Sequence, residues 1–86
     1  MRRQRLVFLD HAVKEMLKAS LVQPVTVEMV DTTVFAGLRK NQHPGKKGGT
    51  VKQANRFWGK NNLRVVFEDT PGTCWVMTVM WEGHYD

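Results

Sequence analysis

Residues 63–81 run Leu63-Arg64-Val65-Val66-Phe67-Glu68-Asp69-Thr70-Pro71-Gly72-Thr73-Cys74-Trp75-Val76-Met77-Thr78-Val79-Met80-Trp81. The first part, 63–68, is rich in β-branched and aromatic residues and reads as a strand. Thr70-Pro71-Gly72-Thr73 puts Pro and then Gly at the two central positions of a type II turn. The chain then returns through a second strand, 74–81. Unbroken alternation puts Trp75, Met77, Val79 and Trp81 on one face and Cys74, Val76, Thr78 and Met80 on the other. Both sets are largely apolar, so this strand is expected to be central or covered on both sides.

Moving upstream, Gly59-Lys60-Asn61-Asn62 reads as a turn. Residues 50–58 form a further extended segment. Val51, Gln53, Asn55 and Phe57 share one face, and Lys52, Ala54, Arg56 and Trp58 share the other. Pro44-Gly45 and Gly48-Gly49 surround Lys46-Lys47, which makes 40–49 a basic, exposed, flexible loop. Phe35–Arg39 leads into or forms a short strand. The segment 21–35 is ambiguous. Val25, Val27 and Met29 alternate with Thr26 and Glu28 as in a strand, whereas Val27, Val30 and Val34 fit a helical stripe and Pro24 fits a first helical position. The first helix is clearer. Asp10 is placed to cap a segment from His11 to about Ser20, with Leu9, Val13, Met16, Leu17 and Ser20 on one stripe. His11, Lys14, Glu15 and Lys18 lie opposite. The expected fold is α+β: one or two N-terminal helices packed on an antiparallel sheet of three to four strands. A single domain spans residues 1–86.

The composition fits that size. Of the 86 residues, 42% are hydrophobic and 24% charged, which argues against disorder. One cysteine, Cys74, excludes an intrachain disulfide. No Cys/His grouping has zinc spacing, and neither a metal nor a cofactor is expected. The basic start is followed by an apolar run, Leu6-Val7-Phe8-Leu9, too short for a signal-peptide core or a membrane span, so a cytoplasmic domain without a membrane partner is expected. A chain this short gains stability from pairing, which makes a homodimer a further expectation. The net charge of +5 is unevenly placed. Between Arg39 and Arg64 there are eight Lys and Arg and no Asp or Glu, while the remainder carries a net −3. That distribution points to an anionic partner.

His11-Ala12 with Met16 near the start, the Leu63–Glu68 strand and Val76-Met77-Thr78-Val79 together resemble a family of small bacterial domains with an N-terminal His-Ala helix. That family is similar to the RelE, BrnT and colicin-type ribonuclease toxins. The resemblance spans about His11 to Trp81 through short, mostly apolar motifs. It implies helices against an antiparallel sheet, with 24–32 as a short helix. It also implies RNA as ligand and an acidic antitoxin as protein partner. Glu15 stands where the pattern carries an arginine, and Ala19 where it carries a basic residue. Both departures bear on catalysis more than on fold.

Metal-independent RNA cleavage needs a base, an acid and cations that stabilise the developing phosphorane. His11 is the best acid or base candidate because it is an imidazole on a polar helix face, and Arg56 is the candidate cation. His43 lies in the glycine- and lysine-rich loop, where it reads as a solvated histidine ahead of a phosphate ligand, and His84 carries little weight. The expected nucleic-acid contacts are Arg39, Lys46, Lys47, Lys52, Arg56, Trp58, Lys60 and Arg64. Lys52 and Arg56 share a sheet face, over which Lys46 and Lys47 are expected to close. Arginine matches phosphate with a planar fork, lysine with a mobile point charge, and Trp58 beside Arg56 offers a stacking surface. Glu68, Asp69 and Glu82 show no paired arrangement. The Pro-Gly-Lys-Lys-Gly-Gly stretch lacks P-loop spacing. Three readings follow. The chain is a toxin-like ribonuclease, or a non-enzymatic module of the same fold that binds nucleic acid or protein. The third reading is a small mobile-element domain with a ligand pocket lined by tryptophan.

Overall fold

A computed structural model describes residues 4–83, so His84 lies outside the described residues. The elements are β1 (Arg5–Phe8), α1 (Asp10–Ala19), α2 (Val27–Ala36), β2 (Leu38–Pro44), β3 (Thr50–Trp58), β4 (Asn61–Thr70) and β5 (Thr73–Trp81). The strands form one sheet in the order β1-β5-β4-β3-β2. From β2 to β5 the chain is an antiparallel meander, and β1 lies parallel to β5 at the far edge. The sheet is therefore five-stranded and mixed, not three- to four-stranded and antiparallel. The missing strand, β1, is four residues long, and its pairing is with a segment almost seventy residues away. No local turn signal marks such a contact.

The Pro71-Gly72 turn joins β4 to β5, with Gly72 at φ 77°, as a type II turn requires of its third residue. The alternation of β5 does not persist. Phe67 pairs with Val76 but Val66 pairs with Thr78, so Met77 is an extra residue and the strand changes parity there. Cys74, Val76, Val79 and Trp81 all face the helices and are buried, whereas Trp75, Thr78 and Met80 face outward. The alternation expected for β3 holds throughout, with Ala54 on the helix side and Val51, Gln53, Asn55 and Phe57 on the other.

The 21–35 ambiguity resolves as a helix over Val27–Ala36, later than the expected 24–32: Pro24 precedes it and is not its first residue, and Phe35 belongs to the helix while the strand begins at Leu38. Thr26 caps α2 by accepting a hydrogen bond from the Met29 N–H at 3.1 Å. Val30, Thr33 and Val34 fall at helical spacing and are fully buried. Burial of that stripe outweighs the poor helix propensity of its β-branched residues. In α1, Asp10 is the first helical residue and not the cap. Leu9 takes the cap position without a side-chain bond, and Asp10 contributes first-turn charge. The seam against the sheet is Ala12 and Ala19, with Met16 partly buried. Val13 and Leu17, expected inside, are 45% and 69% exposed. They line a shallow groove of about 320 Å³ with Phe8, Met16, Val25 and Val27. Small residues let α1 sit close to β5, and the bulky stripe is rotated outward as a result.

Both helices lie on one face of the sheet. The core is Val30 and Val34 from α2, Ala12 and Ala19 from α1, and Ala54, Leu63, Val65, Phe67, Cys74, Val76, Val79 and Trp81 from the strands. Trp81 locks α1 to β5. Its indole N–H lies 3.1 Å from both the Ala19 and the Gln23 carbonyl oxygens. No helix among the described residues is long and apolar enough to cross a membrane. Replacing Trp81 by Ala opens a large cavity and takes the indole donor from both carbonyls, of which Ala19 keeps the Val22 and Gln23 N–H groups. The expected cost is about 3–5 kcal/mol, a large part of the ~5–15 kcal/mol that holds a domain folded. Urea unfolding of Trp81→Ala beside wild type measures it.

Candidate nucleic-acid interface

Among the described residues no helix or strand packs on the second face of the sheet, and only the 45–49 turn folds over it. One cross-strand row on this face runs His43, Val51, Glu68, Trp75 and Val7. Glu68 is a carboxylate only 3% exposed. Its Oε2 accepts hydrogen bonds from the backbone N–H groups of Lys47, at 2.8 Å, and Gly49, at 2.9 Å. The Gly45 N–H donates to the Gly49 carbonyl at 2.9 Å and closes the turn. Gly45 packs so tightly on the Glu68 carboxylate that a methyl group there would overlap it. The segment expected to be a flexible loop over 40–49 is thus β2 as far as Pro44, followed by a turn tied down at 45–49.

That anchoring sets the position of Lys47. Its ammonium lies 4.5 Å from the centroid of the Trp75 ring, within cation–π range. Trp75 is held from behind, since its indole N–H donates to the Thr70 hydroxyl at 3.1 Å. Beneath the turn lies a groove of about 520 Å³. Leu9, Val51, Trp75 and Met77 give it apolar walls, and His43, Lys46 and Lys47 stand on its rim. The His43 ring Nδ1 is 2.9 Å from the Pro44 carbonyl oxygen.

The rest of the open face is crossed by a chain of polar side chains. The Gln42 amide donates to Gln53, Gln53 to Asn55, and Asn55 to Glu82, over 3.0, 2.8 and 3.3 Å. Glu82 also pairs with Arg64, whose Nη2 lies 2.6 and 2.7 Å from the two carboxylate oxygens. Arg64 is therefore committed to a bidentate ion pair. Lys40 stands beside Gln53 on the same face.

The other expected contacts lie on the helix side. Lys52 pairs with Asp69 at 2.6 Å. Gln4 donates to the second Asp69 oxygen and, at 2.6 Å, to the Thr70 carbonyl. Burial alone would raise the Asp69 carboxyl, but the Lys52 and Gln4 hydrogen bonds and the charges of Lys52 and Arg39 hold it below its ordinary value. Arg39 donates to the Val34 carbonyl at 2.7 Å, and its guanidinium lies 5.2 Å from the Phe67 ring centroid. Arg56 stacks 5.2 Å from the Trp58 centroid, while the Trp58 indole N–H donates to the Thr33 hydroxyl. Lys60 sits in the β3–β4 turn. The Cys74 thiol is buried, and desolvation, aided by the Asp69 charge, pushes it up to about 11. It is a packed, unreactive group at neutral pH.

The eight expected contacts are thus split. Arg39, Lys52, Arg56 and Trp58 lie on the helix side, Lys46, Lys47 and Arg64 on the open side, and Lys60 at a turn. Lys46 and Lys47 close over the face opposite to that of Lys52 and Arg56. His11 and Arg56 are also apart. His11, 66% exposed and 3.6 Å from Glu15, opens α1. The other end of that helix contacts Trp81, which pairs with Leu63, and Leu63 pairs with Arg56. Sequence reasoning passed over Trp75 and Glu68. The only signal for either was the pair of half-turn glycines, Gly45 and Gly49, flanking two lysines.

The fold and this surface define a two-layer α+β domain with one open, basic sheet face. Comparison with family models, with curated proteins and with solved structures returns no match.

Two outcomes test the geometry. Gly45→Ala should loosen the turn and speed hydrogen exchange at the Lys47 and Gly49 amides, read by NMR. A carboxyl held below its unfolded value contributes stability that is present at neutral pH and lost as pH falls through the lowered value. Asp69→Asn should therefore be less stable than wild type near pH 7, with the difference shrinking in acid, measured by urea unfolding across pH.

Proposed function

We propose that this chain binds single-stranded RNA through its open sheet face and the 45–49 turn, without cleaving it. One observation carries the reading. Of the eight cations between Arg39 and Arg64, only Lys52 and Arg64 are neutralised by ion pairs among the described residues. The acids near the open face are already engaged, Glu68 by backbone N–H groups and Glu82 by Arg64 and Asn55. Lys46 and Lys47 are left at the groove that the half-buried Trp75 lines, and Lys40 stands on the same sheet face. A polyanion with flat bases suits such a surface, and the resemblance to RelE-like toxins favours RNA among polyanions. The separation of His11 from Arg56 favours binding over cleavage by that pair.

Affinity for a labelled single-stranded RNA should fall as salt rises, with a slope of about −0.7 per phosphate contact. The combined Lys40→Ala, Lys46→Ala and Lys47→Ala variant should flatten that slope by about 2. Incubation of the same RNA without metal should leave it intact. Cleavage by wild type that both His11→Ala and Arg56→Ala abolish would restore the ribonuclease reading in its place.

A further inference from the structure

We propose that the groove beneath the 45–49 turn seats one unstacked nucleobase of the bound RNA, with Trp75 as the stacking platform and Lys46 and Lys47 holding the adjoining phosphate. Glu68 acts as the positioning residue of this seat. The inference rests on the RNA-binding reading and names the subsite within it.

The groove of about 520 Å³ has the chemistry of a base and a phosphate side by side. Its apolar floor offers a π-face and its rim offers cations. Base–aromatic stacking tolerates any base, because each has a π-face. Lys47 lies over the ring, 4.5 Å from its centroid, so the face toward the turn is covered by a flexible side chain and not by a core neighbour. An entering base takes the place of the ammonium on the ring. The four-carbon stem of Lys47 lets that charge swing aside to the phosphate. The backbone does not have to follow, because the Lys47 and Gly49 N–H groups remain on Glu68. The rim is therefore built before the ligand arrives, which lowers the ordering cost of binding. A phosphate-bearing ligand without a flat ring would use the lysines and leave Trp75 idle, so Trp75 is the residue that discriminates.

The test is anisotropy of a short labelled oligoadenylate with wild type, Trp75→Leu and Trp75→Phe at one fixed salt and across a salt series. Trp75→Leu should bind about tenfold more weakly with an unchanged salt slope, and Trp75→Phe should keep most of the affinity. Equal affinity of Trp75→Leu and wild type overturns the seat while leaving RNA binding in place. Failure of wild type to bind at low salt overturns the RNA reading and the seat with it. Circular dichroism establishes that each variant is folded. Should Trp75→Leu not fold, ultraviolet cross-linking of a thiouridine-substituted oligonucleotide to wild type decides. An adduct on Trp75 is expected, and adducts confined to Arg56 and Trp58 on the helix side overturn the proposal.

Discussion

The parity change at Met77 divides this molecule into a core side and an open side. Trp75 and Trp81 are six residues apart, an even spacing that puts both on the same face of a regular strand. The bulge separates them. With it, Val79 and Trp81 join Cys74 and Val76 under the helices, and the Trp81 indole reaches the carbonyls that end α1. Without it, Thr78 and Met80 would turn inward. The sheet would then lose its largest buried side chain, and α1 would lose its anchor. The same bulge leaves Trp75 on the far face, beside Glu68 and Val51, where the turn after β2 meets it. Core packing under the helices and the half-buried Trp75 on the open face are two results of one extra residue.

The second constraint is a buried carboxylate. An ionised side chain withdrawn from water is tolerated only when hydrogen bonds replace its solvation. Glu68 takes two from the turn, and the turn's N–H groups, which no strand partner satisfies, take their acceptor from Glu68. Each group satisfies the other. This explains why a stretch rich in glycine and lysine, normally a solvated and mobile composition, is fixed against the sheet. It also explains the glycine at position 45, where the contact with the carboxylate leaves no room for a side chain.

Much of the fold was legible because it is local. The Pro71-Gly72 turn, the alternation of β3, and the Val30 and Val34 stripe are each written within a few residues. What was not legible depends on distant partners. β1 is defined by a parallel neighbour at the other end of the chain. The α1 seam went to Ala12 and Ala19, and not to Val13 and Leu17, because close approach to β5 favours small residues over apolar bulk. The bulge at Met77 has no glycine to announce it, so extrapolated alternation assigned Trp75 and Trp81 to one face. For the site, the basic segment was plain from composition, but its division between two faces depends on strand register. Lys52 and Arg64 drop out of the free charge because Asp69 and Glu82, both outside that segment, reach them.

This division bears on what the open face can accept. Lys46 and Lys47 are chain neighbours at one groove, and like charges held together raise the free energy of the folded chain unless a counter-charge arrives. Half-buried apolar groups on the same face, Val66, Trp75, Met77 and Met80, are incompletely removed from water as well. A ligand that relieves only the charge, such as a simple anion, leaves the apolar surface wet. One that relieves only the apolar surface leaves the lysines opposed. Under the reading proposed above, a single-stranded nucleic acid would address both, since it carries flat rings at intervals along a chain of phosphates. The amides from Gln42 to Asn55 are bonded to one another and on to Glu82. Charge and ring also meet on the helix side, where Arg56 lies over Trp58 and Arg39 over Phe67, so what sets the open side apart is that its Lys47–Trp75 contact borders the groove of about 520 Å³.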